Sequence, residues 1–279
     1  MSVHRGALRR SFRSRYLLCV FLLIGVPPLS AQESEQVPDR RLLTAKDGYL
    51  ALGAALGTLA LAPLDAHIAR AIQESPTQLS PTVRFISTGA ELLGGPGSLA
   101  IAGGLYVGGN IVASRDLATP GLRTGEAVVL AEIIVYSIKG LAGRARPRLD
   151  VSNPLDFALG RGISGGAYQS FPSGHTAAAF AAATVLRSAI AEQNPDARIF
   201  AGSLLYTTAS LTGISRIYTN EHWLTDTALG GAIGVFSAHK VLRYHRARGD
   251  DTRLDRWLLS ISVVGGRPVA LGITPLPAR

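Results

Sequence analysis

Hydrophobic residues in this chain of 279 residues gather into long runs, separated by short charged or Pro/Gly-rich breaks. Most runs are longer than a typical β-strand and rich in alanine, which favours helices over strands. We therefore predict an all-α protein, a bundle of about six core helices. The predicted helices cover approximately residues 47–64, 97–114, 122–141, 174–192, 197–215 and 223–243.

The two ends of the chain have a different character. The first 31 residues hold five arginines, then an apolar stretch and small residues ending at Ala31, as in a signal peptide. Near the other end, apolar residues alternate on both sides of Gly265-Gly266, which predicts a short β-hairpin-like tail. We divide the chain into a signal peptide or N-terminal anchor (1–31), a linker (32–45), a main domain (46–250) and a C-terminal tail (251–279).

Charge and cysteine content narrow the class of protein. The formal net charge is +9, but the five arginines of residues 1–31, a segment without acidic residues, leave only +4 for the rest. Aromatic residues make up 6% of the chain, so stacking platforms for bases are few. We therefore expect no nucleic-acid partner. The single cysteine, Cys19, lies in the predicted signal peptide, so a processed chain would contain no disulfide.

Three short segments, far apart in sequence, carry residues suited to phosphoryl transfer. They are Lys139-(six residues)-Arg146-Pro147, Pro172-Ser173-Gly174-His175, and Ser215-Arg216-(five residues)-His222-(three residues)-Asp226. A phosphoryl group in transfer carries charge on three oxygens, so catalysis rests mainly on positioning and on fixed positive charge. Arg146 and Arg216 can each present a planar fork to two oxygens, and Lys139 adds a third charge.

The second and third segments add a helix start and a histidine–carboxylate pair. Ser173 precedes an alanine-rich run and predicts a helix N-cap, whose free backbone N–H groups attract anions. Gly174 would let the backbone approach an oxyanion, with His175 beside it. His222 and Asp226 are four residues apart, so on a helix they would lie on one face. Asp226 could then accept a hydrogen bond from the Nδ1–H of His222 and leave the Nε2 of His222 free as a nucleophile.

The three segments together resemble the signature of the type 2 phosphatidic acid phosphatase (PAP2) superfamily, which includes vanadium haloperoxidases. The resemblance covers residues 139–234 and implies a PAP2-like helical bundle with a phosphohistidine mechanism. In that mechanism His222 attacks phosphorus, Asp226 orients it, and His175 protonates the leaving group. The phosphate oxygens would be held by Lys139, Arg146, Ser173, Gly174 and Arg216. No cofactor is expected, and His67 near Asp65 lacks the further ligands of a metal site.

Three functions remain open on the sequence alone. The chain could hydrolyse lipid-linked phosphates or diphosphates, act as a periplasmic acid phosphatase on small phosphomonoesters, or bind vanadate as a haloperoxidase. The expected partners are a phosphate-bearing lipid or small molecule and a membrane surface or bilayer. The uncharged run 92–114 is long enough to cross a bilayer. We expect an exported, periplasmic or membrane-associated protein whose active site faces outside the cytoplasm, with the glycine-rich stretch 150–170 as a loop over that site.

Overall fold

The structure, a computed structural model, describes residues 43–73, residues 75–248, and two strands at 262–264 and 267–269. The predicted signal peptide and nearly all of the predicted linker lie outside these residues. The helices are α1 (Ala45–Leu61), α2 (Asp65–Gln73), α3 (Ser75–Gln78), α4 (Pro81–Leu93), α5 (Pro96–Ile111), α6 (Arg115–Ala142), α7 (Gly174–Gln193), α8 (Arg198–Tyr218) and α9 (Leu224–Arg248). Short 3-10 turns lie at Ala62–Leu64, Arg161–Ile163, Gly166–Tyr168 and Pro195–Ala197.

Each of the six apolar runs forms a helix, so the prediction of an all-α bundle is confirmed. The strands β1 (Ser262–Val264) and β2 (Arg267–Val269) pair antiparallel, with Val263 opposite Pro268, which agrees with the hairpin predicted for the tail. Helices α2 and α4 were not predicted. Both are amphipathic and contain charged residues, so neither forms a continuous apolar run.

Helix α7 is the centre of the bundle and packs against α6, α8 and α9. Its inner face carries small residues, among them Ala177, Ala178 and Ala181, which let neighbouring helices come close. On α9, a Cβ at Gly234 would lie 2.2 Å from the carbonyl oxygen of Ala177, so the two backbones are in contact. This close packing sets the first turn of α9 beside the first turn of α7.

Helix α6 ends at Gly143, whose left-handed conformation (φ +55°) is unfavourable for other residues. A Cβ at Gly143 would also lie 2.1 Å from the carbonyl oxygen of Ala158. The turn carries the chain from Lys139, in the last turn of α6, towards Arg146. Two of the three predicted phosphate-binding cations are thereby placed at one end of the bundle.

The outside of the bundle is unusually apolar at its N-terminal end. Among the described residues, one helical stretch, Ala45–Gln73, is long and apolar enough to cross a membrane. The uncharged run 92–114 is broken at Gly94-Gly95, and α5 that follows has 16 residues, fewer than a span needs.

Candidate active site

The three predicted cations come together at the same end of the bundle. Lys139 is buried, and its Nζ donates a hydrogen bond to the Gln169 carbonyl oxygen at 2.7 Å. Arg146 donates from Nε to the Gly166 carbonyl oxygen at 2.6 Å and forms an ion pair with Glu221. Both cations thus fasten the loop 150–170 while facing the site.

Arg216, in the last turn of α8, has a side chain only 7% exposed. It pairs with Glu91 of α4, but its buried Nε has no hydrogen-bond partner among the residues that the structure describes. An unsatisfied buried donor is costly, and an oxyanion at this position would satisfy it. The surroundings of Arg216 therefore suit a phosphate group.

The start of α7 supplies the second predicted segment. Ser173 caps the helix, since its Oγ accepts from the Thr176 backbone N–H at 3.4 Å and from the Thr176 hydroxyl at 2.9 Å. A Cβ at Gly174 would lie 2.9 Å from a carboxylate oxygen of Glu132, so a larger residue there would displace the Glu132 side chain. The free amides of this turn face the end of the bundle where the cations gather.

His175 is the second residue of α7 and is covered by the Gly94-Gly95 turn between α4 and α5. A Cβ at Gly94 would lie 2.9 Å from the His175 Cβ, and one at Gly95 would lie 3.5 Å from its Nε2. Burial, together with the positive charge of Arg216, lowers the pKa of His175 to about 4. The imidazole is therefore neutral at pH 7, and a bound phosphate dianion would raise its pKa.

His222 is placed differently from the sequence prediction. Helix α9 begins at Leu224, so His222 precedes the helix and does not share a helical face with Asp226. Its Nδ1 lies 2.6 Å from the Ser170 carbonyl oxygen and 3.5 Å from Asp226 Oδ2. A carbonyl oxygen can only accept, so Nδ1 carries the proton and Nε2 keeps its lone pair. The expected tautomer is present, but Ser170 is the nearer acceptor.

The Asp226 carboxylate is occupied by several donors, which explains its distance from His222. Its Oδ2 accepts from the Ser170 hydroxyl at 2.5 Å and from the Trp223 backbone N–H at 2.8 Å, and its Oδ1 from Arg144 at 2.5 Å. Burial favours the neutral acid, but Arg144 and the hydrogen bonds outweigh it and lower the pKa of Asp226 to about 2. Burial likewise lowers the pKa of His222 to about 3, which keeps its imidazole neutral.

Sequence reasoning missed several residues that complete this region. Arg144 is buried and bonds to Asp226, while Glu91 and Glu221 neutralise the arginines of the site. Asp65, considered only as a metal ligand beside His67, forms an ion pair with Arg144 at 2.7 Å. The one available signal was the position of Arg144 two residues before Arg146. Nothing in the local sequence distinguishes Asp65, Glu91 or Glu221 from surface acids.

Comparisons with known proteins identify a matching family profile and similar proteins. Residues 120–250 match the sequence profile of the PAP2 superfamily. Lipid A 1-phosphatase of Porphyromonas gingivalis is 39% identical over 111 residues, covering 34% of this chain and 24% of that protein. The chain therefore spans about a quarter of the length of that curated relative.

Two solved structures are similar. The first transmembrane PAP2-type phosphatidylglycerolphosphate phosphatase from Bacillus subtilis superposes with a TM-score of 0.51 at 21% identity, covering 75% of this chain and 99% of that chain. Aquifex aeolicus LpxE gives a TM-score of 0.48 at 24% identity, covering 65% and 96%. The first likeness shows a shared fold. The match to the PAP2 superfamily profile over residues 120–250 spans all three motifs predicted from the sequence.

Proposed function

We propose that this protein is a phosphatase that hydrolyses lipid-linked phosphate monoesters or diphosphates through a phosphohistidine, without a metal ion. The observation that carries the proposal is the meeting of Lys139, Arg146 and Arg216 with a neutral histidine, His222, whose Nε2 is unprotonated. Fixed cations around a neutral nucleophile are what attack on a phosphate anion requires.

In the proposed reaction, His222 Nε2 attacks phosphorus in line with the leaving alkoxide. The N–P bond forms as the P–O bond breaks. His175, which takes up a proton from solvent when the phosphate anion binds and raises its pKa, gives that proton to the alkoxide and becomes neutral. His175 then takes a proton from water as the water oxygen attacks the phosphohistidine, releasing phosphate and restoring His222. Lys139, Arg146 and Arg216, with the Ser173 hydroxyl and the Gly174 backbone N–H, hold the non-bridging oxygens through both steps.

The choice of lipid-linked substrates rests on an apolar surface beside the cations. Val129, Ile133 and Tyr136 are exposed on α6 at helical spacings of four and three residues, so they share one face. The next residue along that face is Gly140, against which Ile163 packs, and Leu159 lies on the same loop. We call these five side chains the apolar stripe: Val129, Ile133, Tyr136, Leu159 and Ile163.

The apolar stripe reaches the site through a loop that is well fixed. The Gly160 N–H donates to the Leu141 carbonyl oxygen at 2.8 Å, so the loop is hydrogen-bonded to the last turn of α6. Asp156 and Arg161 pair with each other at 2.8 Å, and Arg161 also bonds to Gly143. The loop thus pairs these charges with each other and exposes aliphatic side chains, an arrangement suited to acyl chains next to a phosphate group.

A membrane-associated location accompanies this proposal. The apolar stretch Ala45–Gln73 and the stripe would contact a bilayer, and the predicted export signal would place the site outside the cytoplasm. The activity in the name of the Porphyromonas gingivalis relative, removal of a phosphate from lipid A, supports the same class of substrate.

The test is phosphate release, with EDTA present, from p-nitrophenyl phosphate, phosphatidic acid and isoprenyl diphosphate. His222→Ala should lower kcat by on the order of 10⁴ or more, because the nucleophile is lost. The matched control is His67→Ala, which removes an exposed histidine outside the site and should act like the wild type. Rapid quenching should trap an acid-labile phosphoryl group on the wild type and on His67→Ala, but not on His222→Ala. Turnover by His222→Ala near the wild-type rate would exclude His222 as the nucleophile.

A further inference from the structure

A buried charged network is bonded to Asp226 and to the first turn of α9, close to His222 in the chain. Asp65, the first residue of α2, and Arg144 are both nearly inaccessible, with 1% and 2% exposure. Asp65 lies outside residues 120–250, the part of the chain that matches the PAP2 profile. The network therefore joins the N-terminal helices to the predicted catalytic residues.

Arg144 is held on every donor nitrogen. Its Nη1 donates to Asp226 Oδ1 at 2.5 Å and to the Thr225 hydroxyl at 2.7 Å, and its Nη2 donates to Asp65 Oδ2 at 2.7 Å. Nε and Nη2 donate to the Pro154 carbonyl oxygen at 3.0 and 2.6 Å. The guanidinium also lies over aromatic rings at 4.9 to 5.8 Å, those of Phe157, Trp223 and Phe171. These contacts fix the orientation of the Arg144 guanidinium, and the guanidinium in turn fixes the Asp226 carboxylate bonded to it.

Asp65 fixes the same turn from the opposite side. Its Oδ1 accepts from the Thr225 backbone N–H at 2.9 Å, and its Oδ2 accepts from the Thr225 hydroxyl at 2.6 Å. Thr225 is the second residue of α9, so a carboxylate from α2 satisfies one of the free amides at the start of that helix. His222 is only three residues earlier, and its path depends on this turn.

We propose that Asp65 and Arg144 are positioning residues: together they hold Asp226 and the first turn of α9, and thereby keep His222 Nε2 in line with the bound phosphate. This inference rests on the proposed function of His222. It follows that Asp65, a residue outside the PAP2 profile match, completes the arrangement around His222. Neither side chain contacts the substrate, so both act through Asp226 and the α9 turn.

The experiment compares Asp65→Asn with Asp196→Asn, a matched change at an exposed aspartate in the turn before α8, at the end of that helix away from Arg216. Asparagine keeps the shape of Asp65, but its NH2 group would face the guanidinium of Arg144, so two hydrogen-bond donors would meet without an acceptor. We expect kcat on p-nitrophenyl phosphate to fall about 10- to 100-fold, as when partners behind a ligand are removed, while KM changes little. Asp196→Asn should match the wild type.

Two inhibitors separate positioning from loss of folded protein. Inorganic phosphate probes the cations alone, whereas vanadate can also accept a bond from His222. In Asp65→Asn the inhibition constant of phosphate should stay at the wild-type value and that of vanadate should rise about tenfold. A smaller active fraction lowers the apparent kcat but changes neither constant.

The outcomes are distinct. A wild-type vanadate constant in Asp65→Asn, whether kcat falls or not, overturns the positioning role. If Asp65→Asn does not fold, Thr225→Val removes the hydroxyl between Asp65 and Arg144 at nearly constant volume, and the same selective weakening of vanadate is expected. Absence of phosphate release by the wild type would instead refute the proposed function.

Discussion

At the scale of the residue, Lys139 sets the expected alkaline limit of the proposed reaction. Burial, together with repulsion by Arg146, lowers its pKa to about 8. Lys139 is thus charged below pH 8 and loses its proton above it, so kcat/KM should fall as the pH rises through that value. In Lys139→Arg the guanidinium stays charged, and this decline should move above pH ~10 even if kcat is lower.

The measurement is the pH profile of kcat/KM on p-nitrophenyl phosphate for wild type, Lys139→Arg and Lys46→Arg. Lys46 is exposed on α1, so its replacement should leave the decline where it is in the wild type. A decline near pH 8 that survives in Lys139→Arg would assign it to another group.

At this scale, the sequence predicted the site residues that belong to short local motifs, and it did not predict those whose contacts form only in the folded chain. The predicted phosphate-binding residues and both histidines meet at one end of the bundle because their spacings reflect helix ends: the last turn of α6, the first of α7 and the last of α8. Asp65 and Arg144 could not be predicted, since their role arises only when segments 79 residues apart meet. The acceptor for His222 was also missed, because a backbone carbonyl leaves no trace in a sequence.

At the scale of the element, the contact between α7 and α9 holds together two segments that carry predicted catalytic residues. Gly234→Ala would place a methyl group 2.2 Å from the Ala177 carbonyl oxygen, so the helices must separate. We expect a loss of about 1–3 kcal/mol in the free energy of unfolding, and reduced activity because α9 carries Asp226.

Gly57→Ala on α1 is the control, since nothing lies within 4 Å of the added methyl group. Alanine favours the helix by about 0.5–1 kcal/mol over glycine, so this variant should be slightly more stable. Thermal unfolding followed by circular dichroism should shift in opposite directions for the two variants. Equal melting temperatures would contradict the close packing of α7 and α9.

Helix positions were predictable where burial makes a run apolar throughout, as in α7. They were not predictable for α2 and α4, whose outer faces carry charges and whose roles are tertiary. Helix α4 places Glu91 against Arg216, and the turn after it covers His175. The elements that sequence analysis missed are therefore ones that enclose the site from outside the motifs.

At the scale of the whole molecule, exposed apolar surface is not confined to the active-site end. Ile199 and Phe200 are 81% and 74% exposed in the first turn of α8, whereas Arg216 lies in its last turn. Seventeen residues of helix separate Ile199 from Arg216, a distance of about 25 Å at 1.5 Å per residue. The apolar stripe and the pair Ile199 and Phe200 are thus similarly exposed, and of these two regions it is the apolar stripe that adjoins the proposed phosphate site.

Because the apolar stripe adjoins the proposed phosphate site and Ile199 and Phe200 do not, variants of the two regions test whether the substrate is a lipid. Replacing Leu159 and Ile163, which are 89% and 79% exposed, by serine removes apolar surface next to the site without touching a phosphate-binding residue. Burying one such side chain is worth about 1.5–3 kcal/mol, so kcat/KM on phosphatidic acid in detergent micelles should fall about tenfold or more. The rate on p-nitrophenyl phosphate, which has no acyl chain, should not change.

Ile199→Ser with Phe200→Ser is the matched control at the far end of α8. If acyl chains lie along the apolar stripe, the control retains its activity on phosphatidic acid and the Leu159/Ile163 variant does not. If both variants lose lipid activity equally, the apolar surface serves general attachment to the micelle and does not guide the substrate. If neither variant loses activity on phosphatidic acid, the apolar stripe does not bind acyl chains, and small soluble phosphomonoesters become the better substrate class.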